Sequence, residues 1–87
     1  LGPLSRLRPA FVRVPLDLRT DFAVTVLAST VTLTPGTVSV EVEVEVEGDG
    51  TRHKVLVVHA LRCLDDDDMV RTIKERYERR LKEILEC

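Results

Sequence analysis

The sequence has no tryptophan, one methionine, four glycines, four prolines, two cysteines and only three aromatic residues, Phe11, Phe22 and Tyr77. The shortages of cysteine and of aromatics each exclude a class of protein. Two cysteines are too few for a disulfide scaffold. Cys87 is the last residue, where a bridge to Cys63 would constrain little, so both are expected to remain thiols in a reducing compartment. His53 and His59 stand six apart with no CxxC motif nearby, which does not make a zinc site. No stretch approaches the roughly 18 consecutive apolar residues of a membrane-spanning helix, and the opening LGPLSRLRPA has no signal-peptide apolar region. The net charge of −2 and the lack of aromatics interleaved with basic residues remove the footprint of a nucleic-acid binder.

What is present is aliphatic. Of 87 residues, 44% are hydrophobic, with 14 valines and 12 leucines, against 32% charged. That balance excludes disorder, and the length suits one small domain with a real core.

Residues 10–18 alternate, with Val12, Val14, Leu16 and Leu18 on one side and Phe11, Arg13 and Pro15 on the other, which predicts a half-buried strand. Pro15 cannot donate to a ladder, so it belongs at an edge or a strand end. In TDFAVTVLASTVTL the β-branched residues favour a strand, whereas Val24, Leu27, Ala28 and Val31 fall at helical spacing behind a Thr20 or Asp21 cap; a short helix is the reading adopted. Thr34-Pro35-Gly36-Thr37 has proline and glycine at the positions of a type II turn.

Val38, Val40, Val42, Val44 and Val46 then alternate with Ser39, Glu41, Glu43, Glu45 and Glu47, the pattern of a strand with one dry and one wet face. Gly48-Asp49-Gly50 provides a turn into KVLVVHAL, an apolar run that predicts an interior strand paired antiparallel to the valine strand. Asp65 to Asp68 precede Val70, Ile73, Tyr77, Leu81, Ile84 and Leu85, the apolar stripe of a helix with acidic residues at its positive end. Glu75 with Arg79 and Glu78 with Lys82 are spaced as i,i+4 pairs on its outer face. The expected architecture is an α+β two-layer sandwich in β-α-β-β-α order, with a three-stranded mixed sheet carrying helices on one face. Strand order is not set by these patterns; if the first two strands are parallel, their crossover is right-handed.

No catalytic constellation emerges, and no cofactor, metal or small-molecule substrate is expected. The glutamate face Glu41 to Glu47 suits cations or a basic partner, but alternating glutamate also keeps an exposed strand soluble and unpaired, which is the preferred reading. Asp65 to Asp68 lack the spaced ligands of a calcium loop and read as a helix cap. His59 has no nucleophile or carboxylate at a defensible spacing, so it reads as a core or sheet-edge histidine. Gly48 and Gly50 do not make a phosphate loop.

The run PAFVRVPLDLRTDFAVTVLASTVTLTPGTVSVEV, then VLVVHAL, then a charged helix ending KERYERRLKEIL, resembles the E subunit of the multisubunit Na+/H+ antiporters of the Mrp, Mnh or Pha type. The likeness spans residues 9 to about 85, and its most specific pieces are Pro15-Leu16, the block Thr32 to Thr37 with Thr34, Pro35, Gly36 and Thr37, and Val58-His59-Ala60-Leu61. In that family, transmembrane helices are followed by a cytoplasmic αβ domain. The resemblance therefore implies that residues 1–8 are a linker after the membrane region, that 9–87 form the cytoplasmic domain, and that Leu1 is not a natural start. It implies a non-enzymatic accessory subunit of a cell-membrane cation/proton antiporter, with the other antiporter subunits as partners. Arg6, Arg8, Arg13 and Arg19 would be membrane-proximal contacts to headgroups. Self-association through a sheet edge is a further expectation, and the repetitively acidic hairpin is a departure from the family strand. The competing reading is a free-standing α+β module that binds an anion or nucleic acid; the acidic pI and the missing GxxG clamp weigh against it.

Overall fold

The computed structural model describes residues 8–63 and 65–86. The elements are β1 (Arg8–Pro15), α1 (Asp21–Leu33), β2 (Thr37–Val46), β3 (Arg52–Cys63), α2 (Asp66–Ile73), a π-helical turn (Lys74–Glu78) and α3 (Arg79–Leu85). The strand–helix–strand–strand–helix order is the expected one. Arg6, most of the expected linker and Cys87 lie outside the described residues.

The sheet runs β1-β3-β2, and both outer strands pair antiparallel with β3. It is therefore antiparallel throughout, which corrects the expected mixed sheet. β1 and β2 point the same way but never touch, because β3 lies between them. That place follows from composition. Val55, Leu56, Val57 and Val58 are all buried, so β3 alone loses water from both faces. The charged strands take the edges.

The core lies between the sheet and the helices. Val12 and Val14 of β1, Leu16 and Leu18 beyond it, and Leu56, Val58 and Ala60 of β3 form one cluster with Ala23, Val24, Leu27 and Val31 of α1 and Ile73 of α2. Thr20 caps α1 by accepting from the Ala23 N–H at 3.1 Å, which decides between the two candidate caps. Asp65 caps α2 by accepting from the Asp67 and Asp68 N–H groups, as the acidic run suggested. The apolar stripe of the last helix is buried at Ile73, half-buried at Val70, Tyr77 and Leu81, and exposed at Ile84 and Leu85.

The Thr34–Thr37 turn closes with a Thr37 N–H to Thr34 carbonyl bond of 3.2 Å, and Gly36 has φ +86°. It also finishes α1, since the buried Thr37 hydroxyl donates to the Val31 carbonyl at 2.6 Å. Gly36→Val is expected to destabilise the fold by roughly 1 kcal/mol or more through backbone strain. A Cβ there meets nothing within 4 Å, so no clash adds to it. An unchanged thermal midpoint would show that the turn tolerates a side chain.

One irregularity reorganises β2. Ser39 pairs with Val58, but Glu41 pairs with Val57, so Val40 is an extra residue in a bulge. Each side chain before it therefore lies on the opposite face from that predicted by simple alternation. Val38 shares the open face with Glu41, Glu43 and Glu45, while Ser39 shares the helix side with Val42, Val44 and Val46. The expected dry face is not dry: Val42, Val44 and Val46 are 43%, 56% and 63% exposed.

Candidate interaction site

The face of the sheet that carries no helix is organised by one arginine. Arg13 lies opposite Val57 on β1, and its guanidinium bonds both Glu43 and Glu45 of β2, so the side chain crosses the central strand. Val55 and Val57 beneath this bridge are only 3% and 7% exposed. The aliphatic stem of an arginine can cover apolar surface while its charged end stays wet. Arg13 is thus engaged by both glutamates across the sheet, with about half of its side chain still exposed.

At the other end of the same face, His59 stacks on Phe11 with ring centroids 4.8 Å apart, and Val38 lies opposite it on the other side. His59 is half-buried on the central strand. It belongs neither to the core nor to a sheet edge, which corrects the expectation. Phe11, Val38 and Leu61 are large exposed apolar residues here. Among the described residues, no three His, Cys, Asp or Glu side chains are placed to hold a metal ion. Cys63 is buried, with its thiol 3.1 Å from Asp66 Oδ1.

The 15–20 connection is held by a charged stripe, Lys74, Glu78, Lys82 and Glu86, that sequence reasoning missed. Glu78, 2% exposed, accepts from the Asp17 N–H at 2.7 Å and the Leu18 N–H at 3.2 Å, and pairs with Lys74 at 2.7 Å. Lys74 also donates to the Pro15 carbonyl at 2.5 Å and meets Asp17 at 3.1 Å. Glu86 accepts from the N–H groups of Arg19 and Thr20, and Lys82 donates to the Asp17 carbonyl. The backbone bond from the Thr20 N–H outweighs desolvation and, with the bond from Arg19, holds the Glu86 carboxyl below its usual range.

This arrangement overturns the expected Glu78–Lys82 outer-face pair, because Glu78 faces inward. Glu75 and Arg79 do lie on the outside, but Arg79 pairs with Glu83 instead. The π-helical turn accounts for the alignment. Residues four apart drift by about 40° per step on an α-helix, whereas one inserted residue takes back about 100°. The signal was the unbroken i, i+4, i+8, i+12 spacing of opposite charges.

The remaining candidates separate rather than converge. Pro15 ends β1, and Thr34, Pro35, Gly36 and Thr37 lie in the turn, whose Gly36 carbonyl accepts from the Leu61 N–H at 2.8 Å. Arg8 begins β1 and Arg19 follows its far end, so about 23 Å of strand separates the two ends. The side chain of Arg8 lies outside what is described. Arg6 lies outside the described residues, and Arg13 is turned onto Glu43 and Glu45.

A second surface is the outward side of α1. Its only charged residue is Asp21, at the first position, while Phe22 and Leu33 are 67% and 85% exposed. Among the described residues, no helix is long and apolar enough to cross a membrane.

Comparison with known proteins gives a consistent result. Residues 1–84 match the MnhE family model, described as Na+/H+ ion antiporter subunit. The chain is 32% identical over 84 residues to the E subunit of an Na+/H+ antiporter from Alkalihalophilus pseudofirmus and 29% identical to its counterpart from Bacillus subtilis. Each match covers 97% of this chain and 49% of the relative, so the chain spans about half the length of those curated relatives. A chain in the solved structure of the Mrp complex from a Dietzia species superposes with a TM-score of 0.75 at 30% identity, covering 98% of this chain and 74% of that one.

Proposed function

From membership of the MnhE family of Na+/H+ ion antiporter subunits, to which this chain belongs, we propose that it is the αβ part of an accessory subunit that supports assembly or stability of a membrane antiporter complex. The complex would exchange protons for sodium or another monovalent cation, with this domain on the cytoplasmic side. The observation that carries the reading is the match, over nearly the whole chain, to a chain solved within an Mrp complex. The outward side of α1 supports it. A helix face that stays in water carries charge, and this one presents Phe22 and Leu33 with no charge beyond Asp21 at its start. A docking role needs no catalytic residue. Ion passage through hydrocarbon belongs to segments that satisfy their backbone internally. Of the four arginines expected to meet headgroups, Arg13 is held by Glu43 and Glu45, which leaves Arg6, Arg8 and Arg19 for that role.

The test is co-expression of the complete antiporter with Phe22→Glu and Leu33→Glu combined in this chain. Both side chains are exposed, so the domain should still fold, while recovery of the chain with the other subunits should fall about tenfold. Cation/proton exchange by membranes lacking the chain should fall as well. Full exchange in its absence, with no copurifying subunit, would overturn the reading.

A further inference from the structure

The free half of β2 is built to receive another strand. Up to Ser39 the edge is closed by α1, with the Ser39 N–H donating to Thr32 Oγ1 at 3.0 Å and its hydroxyl donating to the Ala28 carbonyl at 2.8 Å. Beyond the bulge, from Glu41 to Val46, no described strand pairs with the outer side of β2. The two faces of this segment differ sharply. Glu41, Glu43 and Glu45 point to the open face, and Arg13 offsets only one of their three charges. Val42, Val44 and Val46 point to the helix side and are about half exposed.

Alternating glutamate explains a protected edge, but it does not explain three exposed valines beside it. The first of them, Val42, opens onto a groove of about 480 Å³ between α1 and β2, lined also by Thr25, Ser29, Thr32 and Leu33 and by no charged residue, while Val44 borders a separate hollow beside Lys54. An incoming strand would set each side chain opposite one of β2 on the same face. Its residues facing the glutamates would be cationic and those facing the valines aliphatic. A second copy does not meet that demand. Two β2 edges paired about a twofold axis place glutamate against glutamate, which like-charge repulsion disfavours.

We infer that the Glu41–Val46 edge of β2 binds, by strand addition, an extended segment of another protein in which lysine or arginine alternates with valine, isoleucine or leucine. Main-chain bonds to the edge supply the affinity, and the two side-chain ladders supply register and specificity. The inference rests on the reading that this chain works within a multisubunit complex, and it identifies the chemistry of one contact.

The probe is a peptide of about seven residues alternating Lys and Val, titrated into the full chain, with an alternating Glu-Val peptide as control. The Lys-Val peptide should slow amide exchange across 41–46 about tenfold at low ionic strength, with the effect shrinking as salt is added. Glu41→Gln, Glu43→Gln and Glu45→Gln together should weaken binding about tenfold. Because those changes also release Arg13, Val44→Ser provides a second variant that leaves the arginine bridge in place and should weaken binding several-fold. Protection by the Glu-Val peptide, protection without any peptide at rising chain concentration, or no protection at all would each overturn the inference. Recovery of the wild-type chain with the other subunits is scored separately. Recovery without edge protection overturns only this inference, whereas no recovery overturns the complex reading itself.

Discussion

Glu78→Ala should cost the fold about 3–5 kcal/mol, the range expected when one partner of a buried charge pair is removed. The residue is 2% exposed and serves three donors, the N–H groups of Asp17 and Leu18 and the ammonium of Lys74. Alanine leaves the two N–H groups facing a void and Lys74 with only Asp17 and the Pro15 carbonyl. The loss is large against the roughly 5–15 kcal/mol that typically holds a small domain together. Chemical denaturation at neutral pH measures it. A midpoint lowered with an unchanged slope is expected, while a loss below about 0.5 kcal/mol would show that the 15–20 connection does not depend on this carboxylate. Glu78→Gln should cost less, because an amide oxygen still accepts from the backbone.

The same variants carry a pH signature through Lys74. Partial burial pulls its pKa down, but the bonds to Glu78 and Asp17 outweigh that and leave it above its ordinary value. A group raised in the folded state contributes stability below its unfolded pKa and loses it as pH rises through the folded one. The wild-type domain should therefore lose this contribution only on the alkaline side of the ordinary lysine range. Glu78→Ala should diminish that part of the profile, leaving only what Asp17 contributes.

Leu56→Ala is the second large effect, at about 2–5 kcal/mol. Leu56 has no exposed surface and sits on the central strand, opposite Val14 on one side and Val42 on the other. Both neighbours are tied to strand backbones, so the cavity cannot close cheaply. Val46→Ala is the control. It has the same apolar chemistry on the adjoining strand, but it is 63% exposed and should stay within about 0.5 kcal/mol of wild type. Similar losses at both positions would mean that the protruding valines of β2 are covered in solution.

Several features could be read residue by residue because they are closed within a few positions. Asp65 caps the helix it precedes, and Thr34 to Thr37 turn the chain with glycine at positive φ. The apolar run at Val55 to Val58 occupies the middle of the sheet. The features that escaped are those in which a local pattern had two outcomes. Alternation of valine with Ser39 and the glutamates from 38 to 47 predicts one uninterrupted strand, whereas the structure inserts Val40 as a bulge between Ser39 and Glu41. Spacings of four along the last helix fit surface pairs as readily as a buried clamp.

The sequence by itself determined the order and type of the main elements, the Asp65 cap and the turns, the core valines and leucines of β1 and β3, and the family resemblance. Periodicity, end chemistry and motif order are properties of neighbouring residues. Tertiary structure alone decided that β3 separates β1 from β2, and that Arg13 spends its charge across β3 on Glu43 and Glu45. It also decided that Glu78 is buried against the Asp17 amide, 61 residues away. Those outcomes depend on which distant groups must share a low-dielectric interior. A carboxylate that reads as solvent-facing in a helix becomes internal when the loop packed over it has amide donors left to satisfy.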